Sequence, residues 1–139
     1  MKRFLASLIG SAWLLGQAQA ADLEVNFTQL KEPTGELLVA VFDSAAHWEA
    51  SRPLVASAYV PVTATTVHHV FSSLKPGTYA LSVIRDVNGN RELDTNFIGM
   101  PTEQYGYSNN PPLRMRKATF DETRFELKES GHVLQVELR

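Results

Sequence analysis

In the stretch DLEVNFTQL, residues 22–30, Leu23, Val25 and Phe27 alternate with Glu24, Asn26 and Thr28. Successive side chains of a strand leave opposite sides of the sheet, so a repeat of two predicts a strand with one buried face. KEPTG carries Pro33 and Gly35 and reads as a turn. ELLVAVFD, residues 36–43, is apolar without alternation and suits a central strand. SAAHWEASRP breaks the period and predicts one helical turn, with Asp43 or Ser44 as its N-cap. LVASAYVPV and TTVHHVFSS are two further strands, Pro61 marking an edge or an end. LKPGTYALSVIRD enters through a Pro76-Gly77 turn, with Tyr79, Leu81 and Val83 on one face and Ala80, Ser82 and Ile84 on the other. KATFDE, TRFELKE and HVLQVELR close the chain as strands, with Ser130-Gly131 between the last two. Seven or eight short strands and no convincing helix predict an all-β, antiparallel Greek-key sandwich.

Residues 86–116 stand apart as a long irregular stretch. A loop of about 30 residues inside a compact domain is normally either functional or disordered. This one contains Phe97, Ile98, Met100, Tyr105, Tyr107 and Leu113, too much apolar surface for disorder. It is expected to pack on one end of the sandwich, with residues 86–110 as the candidate ligand- or partner-binding face.

The first twenty residues do not fit the strand pattern. MKR is a basic start, FLASLIGSAWLLG an apolar run of thirteen, and Ala18 and Ala20 give the small-x-small end of a secretory cleavage site. A span needs about 20 apolar residues. A signal peptide over 1–20, cut after Ala20, is therefore expected, followed by one domain over 21–139, periplasmic or secreted and not inserted in a membrane. Without Lys2 and Arg3 the chain keeps 11 basic and 15 acidic residues, a net charge of −4. That argues against a nucleic-acid partner, which calls for a basic patch. The chain has no cysteine, which excludes disulfides, thiol catalysis and Cys-ligated zinc, and a monomer is expected.

IRDVNGNRELDTN concentrates the candidate chemistry. Asp86, Asn88, Asn90 and Asp94 occupy positions 1, 3, 5 and 9 of a calcium loop, a spacing that turns alternate oxygens toward one centre. The match to an EF-hand is partial, since Arg91 stands where its glycine would be and Phe97 where its closing glutamate would be. Glu92 or Glu103 would complete the shell, and affinity would lie near about 0.1–1 mM. The other reading is a metal-free turn, because Asn and Asp side chains bond backbone N–H groups two residues on. Calcium is the only cofactor the sequence suggests.

Glu103, Tyr105, Tyr107 and Asn109, in EQYGYSNN, are candidate contacts to a glycan or protein partner; alternatively both rings anchor the loop. Glu92, Asp94, Glu103 and Asp121 would be the carboxylates of a glycan hydrolase, the alternative to a non-enzymatic domain. A third alternative is a purely structural accessory domain with a metal-free loop. His68 and His69 are adjacent on a strand, so they face opposite sides and do not form a metal pair. Tyr79, just after its turn, is expected to bond back to the backbone and pin a corner.

Taken together, residues 74–110 resemble a family of small exported bacterial proteins, the domain of unknown function 2141. The resemblance is carried by Pro76, Gly77 and Tyr79, by Asp86, Asn88, Asn90, Asp94 and Asn96, and by Gly99, Pro101, Glu103, Tyr105, Gly106, Tyr107, Ser108 and Asn109. The family often has His before the first Asp of the loop, where this chain has Arg85. The resemblance implies an exported β-sandwich similar to immunoglobulin-like or transthyretin-like domains, and it implies no activity.

Overall fold

The computed structural model describes residues 19–92 and 103–139. The expected leader, apart from its last two residues, and Asp94 with the rest of 93–102 lie outside them. Eight strands are found among the described residues: β1 (Ala21–Thr28), β2 (Glu36–Phe42), β3 (Ala56–Pro61), β4 (Val67–Leu74), β5 (Gly77–Asp86), β6 (Tyr105–Tyr107), β7 (Phe125–Leu127) and β8 (His132–Glu137). They form a three-stranded sheet in the order β4-β1-β8 and a five-stranded one in the order β3-β2-β5-β6, with β7 also on β5. The chain passes repeatedly between the sheets, pairing β1 with β4 and β2 with β5, as expected of a sandwich of Greek-key type. The antiparallel expectation has one exception: β1 and β8 run parallel, Leu23 opposite His132 through Thr28 opposite Glu137. Local alternation decides which face of a strand is buried, but it carries no information on the direction of a partner a hundred residues away.

The alternating apolar positions meet between the sheets. Leu23, Val25 and Phe27 of β1 pack with Leu37, Val39 and Val41 of β2, Leu81 and Val83 of β5, and Leu134 and Val136 of β8. Without disulfides, this burial stabilises the domain at about 25 cal/mol per Å2 of apolar surface. The Tyr79 hydroxyl donates to the Lys75 carbonyl at 2.5 Å, the corner bond expected of it.

Two short helices accompany the strands, the first where one helical turn was expected and the second where a strand was. In α1 (Ala45–Ala50), Ser44 is the N-cap and accepts from the His47 N–H. KATFDE, expected as a strand, instead contains α2 (Phe120–Thr123), whose cap Thr119 accepts from the Glu122 N–H. Thr119-x-x-Glu122 has the spacing of a capping box, and that signal outweighs an alternation only a few residues long. The stretch 86–116 is not wholly irregular either, since it contains β6.

The helices position a second, smaller cluster on the outer side of the larger sheet. Trp48 of α1 meets Phe42 edge-on at 5.3 Å and Tyr107 at 5.8 Å, with Phe120 of α2 packed alongside. The Trp48 indole N–H donates to the Ala118 carbonyl at 2.8 Å. Only one end of this outer face is covered by that cluster.

Candidate binding face and loop

The end of β5 is fixed by two buried charged residues that leave the sheet on opposite sides. Arg85 is 4% exposed. Its guanidinium donates to Gln104 Oε1 at 2.9 Å, to the Thr34 carbonyl at 3.0 Å and to the Glu32 carbonyl. Gln104 in turn donates to the Gln29 and Leu138 carbonyls and accepts from the Lys31 N–H. This node joins the 29–34 turn, the start of β6 and the C-terminus. Nothing in the strand pattern marks Gln104 as buried, because it precedes a strand of only three residues.

Asp86, 1% exposed, starts the loop. Its two carboxylate oxygens accept from the Gly89 N–H at 2.9 Å and the Arg91 N–H at 2.7 Å. Asn88 Oδ1 accepts from the Asn90 N–H and Asn90 Oδ1 from the Glu92 N–H. The regular spacing therefore curls the backbone around its own side chains, the geometry of Asx turns. Arg91, standing where a calcium loop has glycine, takes the left-handed φ of 58° that glycine would supply. A carboxylate or amide oxygen carries two lone pairs, so accepting one N–H does not by itself exclude a cation. Among the described residues, no three His, Asp or Glu side chains gather in a way that could hold a metal; of the described candidate ligands, Asp86 is the carboxylate and Asn88 and Asn90 are amides.

The EQYGYSNN residues are divided between fold and surface. Glu103 accepts from the Val87 N–H at 3.1 Å, tying the far side of the stretch to the loop base. Tyr105 and Tyr107 are half-buried on β6 and meet edge-on at 5.9 Å. Burial raises the Tyr107 hydroxyl above its ordinary pKa. Ser108 is fully buried; its hydroxyl donates to the Thr123 carbonyl at 2.5 Å and accepts from the Leu81 N–H. Asn109 donates to the Arg124 carbonyl at 2.8 Å. Asn110 donates to the Gln135 carbonyl and accepts from the Glu137 N–H. A Cβ on Gly106 would stand 2.6 Å from the Glu137 carbonyl oxygen. Most of this run thus stitches β6 to β5, to the end of α2 and to β8.

Glu103 and Asp121, two of the carboxylates considered for hydrolysis, are not brought together: one precedes β6 and the other lies on α2, beyond its opposite end. Asp121 pairs with Arg124 at 3.8 Å. His68 bonds Asn26 at 2.8 Å on the outer face of the smaller sheet, while His69 meets Phe71 edge-on at 4.6 Å. Desolvation, followed by the neighbouring His68, lowers the His69 pKa.

A surface that the strand pattern did not single out emerges from the register. Leu38 stands opposite Tyr59 on one side and Ile84 on the other, and Ile84 stands opposite Tyr105. Tyr59–Leu38–Ile84–Tyr105 is therefore a continuous row across four strands on the outer face of the larger sheet. Beside it run Ser57, Ala40 and Ser82, small residues that leave a trough of about 240 Å3 bordered by Leu54 and Tyr59. Arg91 of the loop lies 3.9 Å over the Tyr59 ring and 3.5 Å from Glu36, so the loop borders the trough. The outer face of the smaller sheet is mostly polar by contrast, with the row His68–Asn26–Gln135 beside Val70–Glu24–Val133. The available sequence signal was Leu38 and Ala40 in ELLVAVF, apolar where a solvated outer face would alternate to polar.

Over residues 25–135 the chain matches the model of a family described as an uncharacterized protein conserved in bacteria, the domain of unknown function 2141. The chain belongs to this family. Neither the curated proteins nor the solved structures contain a match. Much of the run that carries the family resemblance, from Glu103 to Asn109, is occupied in holding β6 to its neighbours.

Proposed function

We propose that this family member is an exported, non-enzymatic binding domain whose contact surface is the outer face of the larger sheet at the loop end. The observation carrying this reading is the Tyr59–Leu38–Ile84–Tyr105 row. Apolar faces of this kind, bordered by polar groups, mark contact sites on soluble domains, and the opposite face of the same sandwich is mostly polar. Export rests on the expected signal peptide. The 86–92 loop orders one border of the face through Arg91, and calcium at Asp86, Asn88 and Asn90, completed by Asp94, is the ion proposed to stiffen it.

Co-sedimentation of the mature protein with bacterial cell-envelope fractions tests the face. Tyr59→Ser with Leu38→Ser should lower the bound fraction at least tenfold, while Val133→Ser on the smaller sheet should leave it unchanged. Equal binding by both variants would refute the assignment of the face.

A further inference from the structure

We infer that the occupant of this face is a neutral oligosaccharide strand lying across β3, β2, β5 and β6 between Tyr59 and Tyr105. The inference rests on the binding reading above and specifies its ligand. Tyr59 and Tyr105 sit on strands three spacings apart, about 14 Å at 4.7–4.9 Å per strand. A ligand touching both must be extended and narrow.

Charge narrows its chemistry. The trough is lined by Leu38, Val39, Ala40, Leu54, Ser57, Ala58, Tyr59, Ser82 and Ile84, none of which is charged. Arg91 at its border pairs with Glu36. An anionic or cationic chain would be desolvated here without a partner inside the trough, at a cost that disfavours it.

The arrangement of rows separates a sugar from an apolar protein segment. Leu38 and Ile84 form an aliphatic row ending in tyrosines, and immediately beside it run the hydroxyls of Ser57 and Ser82 around Ala40. An aliphatic protein surface would cover those hydroxyls without bonding them, and covered polar groups left unpaired cost binding energy. A pyranose presents C–H faces to the rings and hydroxyls to the serines. It satisfies both rows at once, as sites with an apolar lining and a few orienting polar groups do.

Titration of the 15N-labelled mature protein with cellohexaose and chitohexaose, with oligogalacturonate as the charged control, tests the ligand. Amide shifts at 38–40, 57–59, 82–84 and 105 with at least one neutral oligosaccharide, weakened tenfold or more in Tyr59→Ala, are the expected result. Ser82→Ala should weaken binding by a smaller factor without altering the spectrum elsewhere. No shift with either neutral probe, or equal shifts with oligogalacturonate, would overturn the glycan assignment. The envelope-binding result separates that failure from failure of the face itself: if Tyr59→Ser with Leu38→Ser still abolishes sedimentation, the face stands and its ligand is of another class.

Discussion

Gly106 shows at the scale of one residue why a sequence motif need not be a binding motif. It stands between Tyr105 and Tyr107, two of the candidate partner contacts. In the fold it sits in β6 against the Glu137 carbonyl, where a Cβ would come within 2.6 Å of that oxygen and 3.1 Å of Val136 Cγ1. Both neighbours belong to β8 and neither is the end of a flexible side chain. Gly106→Ala should therefore destabilise the domain by about 2 kcal/mol, in the range of overpacked interiors, read as a lower urea midpoint at unchanged slope. A midpoint equal to wild type would mean that β6 can move away from β8 at little cost. The local sequence identified the glycine, but the contact it permits is with a strand thirty residues on, which no local pattern encodes.

At the scale of the element, the edge of β8 is closed by a side chain. Exposed edges present unpaired N–H and C=O groups and invite pairing with other chains. Asn110 donates to the Gln135 carbonyl at 2.9 Å and accepts from the Glu137 N–H at 2.8 Å, so one amide takes the place of a partner strand there, and just beyond it Arg139 exchanges both backbone bonds with Tyr105 of β6. Its own φ of 47° is left-handed, a conformation asparagine tolerates better than most residues. Asn110→Ala should remove both bonds, costing about 1–2 kcal/mol, and should speed hydrogen exchange at Glu137 relative to Leu134. Unchanged exchange at Glu137 would show that the amide does not protect the edge. The strands themselves were legible because alternation reports burial: β1 and β5 follow their predicted faces. KATFDE forms no strand because its alternation is short and Thr119 caps a helical turn there instead. The direction of β8 against β1 was not legible at all.

At the scale of the whole molecule, the two ends of the larger sheet differ in how they are held. One is closed by Trp48, Phe42 and Phe120, an apolar cluster supported by two capped helices. The other ends in the Arg85–Gln104 node and the Asp86 loop, where hydrogen bonds replace packing. The sequence displayed the loop's oxygens but not their present partners, because Asx turns and calcium loops ask for the same residues at the same spacing. The two differ in linkage: an ion that binds only the folded protein stabilises it by RT ln(1 + [L]/Kd). For a site of about 0.1 mM in 10 mM calcium that is roughly 2.7 kcal/mol, a rise of several degrees in Tm for a domain of this size. With the proposed calcium site, the melting temperature of the chain from Ala21 onward should rise in calcium relative to EDTA, and much less in equal magnesium. Asp86→Asn lowers the baseline by weakening acceptors for the Gly89 and Arg91 N–H groups, so the quantity to compare is the calcium increment, which should shrink in the variant. An increment absent from wild type would leave the loop as a turn held by its own hydrogen bonds, with Arg91 bordering the trough without an ion. An increment that persists undiminished in the variant would place the calcium elsewhere on the chain.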